Sequence, residues 1–131
     1  MSSPRGLLDT SAVIDLADLD PADLPEECLI SAITLAELSA GALVATTARE
    51  RAARQAHLQQ AEADFEPLPF DAGCARAFGQ VAASLRRSGR KTQARAYDAL
   101  IAATGIANGV PVYTRNPADF RAIERLTVHA V

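Results

Sequence analysis

The sequence predicts an α/β domain in which a mainly parallel sheet of about five strands lies between layers of helices. Two observations carry that prediction. Short apolar runs closed by polar or turn residues alternate along the chain with longer helical stretches, and strands separated by helices pair in parallel. The 131 residues, 49% of them hydrophobic, suffice for one core and leave no room for a second, so one domain spanning residues 1–131 is expected to carry the whole function.

Gly6-Leu7-Leu8 reads as the first buried strand, handing over at Asp9 to a helix through Ala12–Leu16 with Thr10 or Ser11 as its N-cap. Pro21 and Pro25 punctuate an acidic connection, after which Cys28–Ser31 forms a second strand and Thr34–Leu38 opens a second helix. Thr47–Ala63 is an alanine-rich, charged surface helix. Phe65–Phe70 makes a short third strand, placed at an edge because Pro67 and Pro69 cannot donate to a ladder. Asp71 caps a helix through Leu85 that ends at Ser88-Gly89-Arg90, and a further helix runs from Thr92 to Ala107 and stops at Asn108-Gly109. Pro111–Thr114 is the fourth strand, Asn116-Pro117 turns into a short helix around Asp119-Phe120, and Leu126–Val128 is the fifth.

Composition narrows the chemistry. Met1-Ser2-Ser3-Pro4-Arg5 lacks the apolar helix of a signal peptide, and the apolar stretch Ala99–Val112 is interrupted and too short for a membrane span, so a soluble, cytoplasmic protein with no membrane partner is expected. Cys28, Cys74, His57 and His129 stand apart from one another in sequence, without the spacing of a zinc site or of a nucleophile and its base. Carboxylates remain. Net charge is −3, yet its distribution is uneven: residues 1–28 hold seven acids against Arg5, whereas 72–97 hold Arg76, Arg86, Arg87, Arg90, Lys91 and Arg95 with no acid. One side of such a molecule could receive a polyanion, and the same run reads equally as a solvated helix end and loop.

Asp9, Glu37 and Asp119 each follow a strand and should converge at one edge of the sheet, where the carboxyl ends of parallel strands gather functional loops. Asp98 lies among the apolar residues Ala99, Leu100, Ile101 and Ala102 of a helix, a costly place for a carboxylate without a partner. Gathering such acids raises their free energy unless a cation neutralises them, and an all-oxygen set without His or Cys suits Mg²⁺ or Mn²⁺ better than zinc. A hard ion of this kind activates water for in-line attack on a phosphodiester. Each acid also has a structural reading: Asp9 as a helix N-cap, Glu37 as the partner of Thr34 in a capping box, Asp119 as a turn residue after Asn116-Pro117. Asp98 has the weakest one.

Four segments, Leu8–Ile14, Ile33–Leu38, Tyr97–Thr104 and Val112–Phe120, together resemble in order and separation the signature segments of PIN domains, and the ending Thr114-Arg115-Asn116-Pro117-Ala118-Asp119-Phe120 is VapC-like. The resemblance covers almost the whole chain and implies a PIN-like three-layer fold. It further implies a metal-dependent endoribonuclease, the toxin of a type II toxin–antitoxin pair, that leaves a 5′-phosphate and a 3′-hydroxyl. On this resemblance Asp9 and Asp98 are the metal ligands and Glu37 and Asp119 complete the catalytic pocket, while Thr10, Ser11, Thr114 and Asn116 orient it. Arg86, Arg87, Arg90, Lys91, Arg95 and Arg115 are the candidates for contact with RNA. Mg²⁺ or Mn²⁺ is the implied cofactor, and a second copy and a VapB-type antitoxin whose tail blocks the site are the implied partners. None of the four acidic positions departs from the pattern.

Other functions fit less well. A receiver-like phosphoacceptor needs an acid after its third strand and a lysine after its last, whereas Lys91, the sole lysine, lies between helices. No strand is followed by a glycine-rich phosphate loop. The remaining rival is a non-catalytic PIN-like module that binds RNA or protein without cutting.

Overall fold

The computed structural model describes residues 4–91 and 95–131. The expected start of the last long helix at Thr92, and the first three residues, lie outside them. Four strands, β1 (Arg5–Leu8), β2 (Glu27–Leu29), β3 (Val112–Thr114) and β4 (Val128–Ala130), pair in the order β2-β1-β3-β4. All three pairings are parallel, with Leu7 opposite both Leu29 and Val112. The helices are α1 (Thr10–Ile14), α2 (Ala32–Leu43), α3 (Ala48–Asp64), α4 (Ala72–Arg87) and α5 (Ala96–Asn108).

Alternation along the strands builds two cores. Leu7 and Val112 face one side and pack with Val81, Leu85, Ala99, Ile101 and Phe120, from α4, α5 and the turn after β3. Leu8 and Tyr113, one residue further on, face the other side and pack with Ala12, Ile30, Leu38 and Ala61, chiefly from α1, α2 and α3. A period of two thus buries both faces of the sheet, which explains why the strands read as continuous apolar runs. Local caps set the helix ends. Asp71 accepts the Cys74 N–H at 3.0 Å at the start of α4, and Gly109 ends α5 at φ +66°, a conformation open to glycine at no steric cost.

The structure corrects four sequence expectations. Among the described residues the sheet has four strands: Phe65–Phe70 contributes only a bridge between Ser31 and Leu68, because Pro67 and Pro69 lack N–H groups and Leu68 alone donates toward the sheet, to Ile30 O at 2.9 Å. The last strand is Val128–Ala130, two residues beyond the start and end expected for it. The first helix is capped by Asp9, as the structural reading of that acid had it, and not by Thr10 or Ser11, and it stops at Ile14. α5 begins at Ala96, which places Asp98 in its first turn. Among the described residues no helix is long and apolar enough to cross a membrane.

Gly6 makes room for the sheet's aromatic residue. A Cβ built there would collide with Tyr113 Cε1 and stand 2.7 Å from Tyr113 Cδ1 and 2.8 Å from Pro25 Cγ. The Tyr113 ring is buried and stacked on His129 at 4.7 Å, so it has little freedom to withdraw. Gly6→Ala is therefore expected to destabilise the fold by about 1–3 kcal/mol, the usual cost of overpacking. A urea midpoint unchanged from that of the parent would contradict this.

Candidate active site

Asp9 follows β1 directly and is 4% exposed. Its Oδ1 accepts from the Ala12 N–H at 3.0 Å and from Ser11 Oγ at 2.7 Å, and its Oδ2 accepts from Thr114 Oγ1 at 2.6 Å. The cap and the site are thus one arrangement: the bonds that start α1 also fix the carboxylate at the carboxyl end of the sheet. Ser11 Oγ in turn accepts from the Arg115 N–H at 3.1 Å, and Thr114 Oγ1 accepts from the Asn116 N–H at 2.9 Å. Asn116 contributes through its backbone here. Its side chain makes no cap at the following 3-10 turn, Pro117–Phe120.

Glu37 is held from the same helix. Thr10 Oγ1 lies 2.6 Å from Glu37 Oε1 and 3.2 Å from Thr34 Oγ1, a hydroxyl that is fully buried. The capping box expected from Thr34 and Glu37 does not form. Ser31 is the N-cap of α2 and accepts from the Thr34 N–H at 3.2 Å, which moves Glu37 to the second turn and frees its carboxylate for the pocket. Thr34, read from the sequence only as a capping partner of Glu37, is a supporting residue through its contact with Thr10. Its spacing of three from Glu37 was a usable signal, since such residues share a helix face.

Asp98 reports on the whole cluster. Its pKa is pushed up to about 6, first by burial and then by the charges of Asp119, Glu37 and Asp9, with Arg95 pulling the other way. The N-terminal turn of α5 favours an anion by only ~0.3–1 kcal/mol, so desolvation and three carboxylates outweigh it. Asp119 lies on the 3-10 turn after β3 and forms an ion pair with Arg95. Asp9, Glu37 and Asp119 therefore all lie within electrostatic reach of Asp98, and of the four acids Asp119 is, among the described residues, the one paired with a basic side chain.

The other basic candidates are distributed differently. Arg90 donates to Ala118 O at 3.1 Å, on the turn that carries Asp119. Arg87 pairs with Glu124 at 3.1 Å and Arg115 with Asp15 at 3.7 Å, exposed contacts of the kind worth ~0–1 kcal/mol and easily exchanged. Arg86 and Lys91 are exposed.

The donor chemistry fits a hard divalent cation. Asp98 sits where burial and neighbouring charge oppose its ionised form, and a cation relieves both. Among the described residues no three His, Cys, Asp or Glu side chains stand close enough to cage an ion directly. Magnesium does not need a cage, since it is held through one or two carboxylates and retains several waters. A parallel sheet with acids collected at its carboxyl ends defines an acid-pocket α/β protein suited to such an ion.

Comparison with known proteins takes the class further. The family model described as PIN domain matches residues 6–126. Ribonuclease VapC5 of Mycobacterium tuberculosis is 38% identical over 122 residues, covering 91% of this chain and 87% of its own, and Ribonuclease VapC4 of the same organism is 34% identical over 131 residues, covering 98% of each. A crystal structure of a member of the VapBC family of toxin-antitoxin systems, VapBC-5 from Mycobacterium tuberculosis, superposes with a TM-score of 0.84 at 37% identity over 98% of this chain and 99% of that one. The chain belongs to the PIN-domain family, and within it to the VapC group.

Proposed function

We propose that the protein is a Mg²⁺- or Mn²⁺-dependent endoribonuclease, the toxin of a toxin–antitoxin pair, acting in the cytoplasm as a homodimer held silent by a VapB-type antitoxin. The observation that carries the reading is that the charges of Asp9, Glu37 and Asp119 all reach the half-buried Asp98 carboxyl. The similarity to ribonucleases and to a toxin–antitoxin complex supports RNA as substrate and an antitoxin as partner.

Asp9 and Asp98 are the residues that would hold the ion, and when bound it supplies Lewis acidity toward a phosphodiester and acidifies water. Thr114 and Ser11 keep the Asp9 carboxylate in one orientation, and Thr10 does the same for Glu37. Such locked ligands and supporting hydroxyls reduce the reorganisation needed when charge develops during reaction. Glu37 keeps an oxygen, Oε2, without a partner among the described residues, and that oxygen is the group available to take a proton from the attacking water.

Incubating the purified protein with total RNA and Mn²⁺ or Mg²⁺ tests this reading. Cleavage that chelator abolishes and that Asp9→Asn lacks is expected; equal cutting by the variant would assign the activity to another site or to a contaminant. The same ions should raise thermal stability, by about 2.7 kcal/mol at a concentration of about 100 Kd. A module that only binds RNA or protein has no reason to gain stability from them.

A further inference from the structure

The fourth acid differs from the other three. Asp9 and Glu37 are held by hydroxyls, whereas Asp119 holds a guanidinium. Arg95 is the residue immediately before α5 and stands three positions ahead of Asp98, so its charge hangs over the same helix end, close enough to draw Asp98 back toward its ionised form. The turn that presents Asp119 is clasped a second time by Arg90, through Ala118 O. Both partners of the Arg95–Asp119 pair are about one-third exposed, at 36% and 35%, so the pair lies at the rim of the pocket.

Charge gives this arrangement a purpose. The four carboxylates carry four negative charges, and a single divalent ion would leave the pocket strongly negative toward a phosphodiester. A cation at the rim is what an RNA backbone requires there. Arginine suits the task because its guanidinium has five N–H donors in a rigid fork. Asp119 engages Nη1, and donors remain for a phosphate oxygen.

We propose that Arg95 is the phosphate-binding cation of this site and that Asp119 is its positioning residue, taking no place around the ion. The proposal rests on the nuclease reading above and separates Asp119 from the three acids it accompanies.

Arg95→Gln, Asp119→Asn and the double variant test it through three readouts. In cleavage assays with Mg²⁺ each single variant is expected to raise KM about tenfold, the worth of one lost charge-assisted hydrogen bond, with kcat within about threefold of the parent. The double variant should be no worse than either single one, as for two residues acting through one contact. Binding of a fluorescein-labelled single-stranded RNA to Asp98→Asn protein, which is expected not to cut, should lose about 0.7 from the slope of log affinity against log salt when Arg95→Gln is added. Arg95→Lys should restore that slope. Stabilisation by Mg²⁺ alone should survive in both single variants. Loss of Mg²⁺ stabilisation in Asp119→Asn but not in Arg95→Gln would make Asp119 a ligand and overturn the proposal, as would additive effects or RNA binding indifferent to Arg95. Failure of the nuclease reading shows separately, as a parent protein that gains nothing from Mg²⁺.

Discussion

Replacing Asp98 with asparagine is expected to lower metal-dependent RNA cleavage by about three orders of magnitude, since a bound ion contributes several kcal/mol and each 1.36 kcal/mol is tenfold in rate. In chelator the same variant should be more stable than the parent at neutral pH. The sign follows from the proton. The Asp98 carboxyl titrates near 6 in the folded protein, above its ordinary 3.8, so between about pH 4 and 6 the folded state holds a proton that the unfolded state has released. Parent stability from this group is fully present below that window and falls as pH rises through it. Asparagine carries no charge and escapes the fall, gaining about 1–2 kcal/mol at pH 7.5 after solvent screening, with the difference closing near pH 4. Urea unfolding at the two pH values, in chelator, measures it; a variant less stable than the parent at pH 7.5 would show that the acids are not in conflict.

Asp9→Ala is expected to abolish cleavage as completely and to move stability the opposite way. Asp9 is 4% exposed and satisfied by three donors, so its loss uncaps α1 and removes the carboxylate that accepts the Thr114 O–H, a buried group whose oxygen keeps its bond from the Asn116 N–H. A lost N-cap costs ~0.5–2 kcal/mol and a buried donor deprived of its acceptor ~1–3, so the variant should fall about 2 kcal/mol or more below the parent at all pH values from 5 to 8. Thermal melts of both variants side by side separate the two acids. Asp9 is built into the fold, whereas Asp98 is carried at its expense. Equal stability of Asp9→Ala and the parent would remove Asp9 from the hydrogen-bond network described.

Much of the fold was legible in short stretches. Asp71 before α4, Gly109 after α5 and the turn at Asn116-Pro117 announced themselves because capping and turn chemistry depend on residues within about four positions. The alternation of strand and helix gave the parallel sheet for the same reason. The misreadings also have local causes. Leu68 between two prolines has strand composition but only one N–H to offer, and Asp9 outcompeted Thr10 and Ser11 as cap because its carboxylate reaches the Ala12 N–H while the Thr10 hydroxyl turns to Glu37 and the Ser11 hydroxyl donates back to Asp9.

The identity of the acids, their order and the chemistry they can perform were written in the chain, since ionisable groups and hard oxygen donors are properties of residue type. Their partners were not. Thr114 reaches Asp9 across 105 positions, Thr10 reaches Glu37 across 27, and Arg95 meets Asp119 across 24. Sheet register and helix packing select these contacts, and no local pattern encodes them. For the same reason only the folded molecule separates an acid that clasps an arginine from two that are held by hydroxyls, because a charge acquires its role from what lies within a few ångströms of it in space.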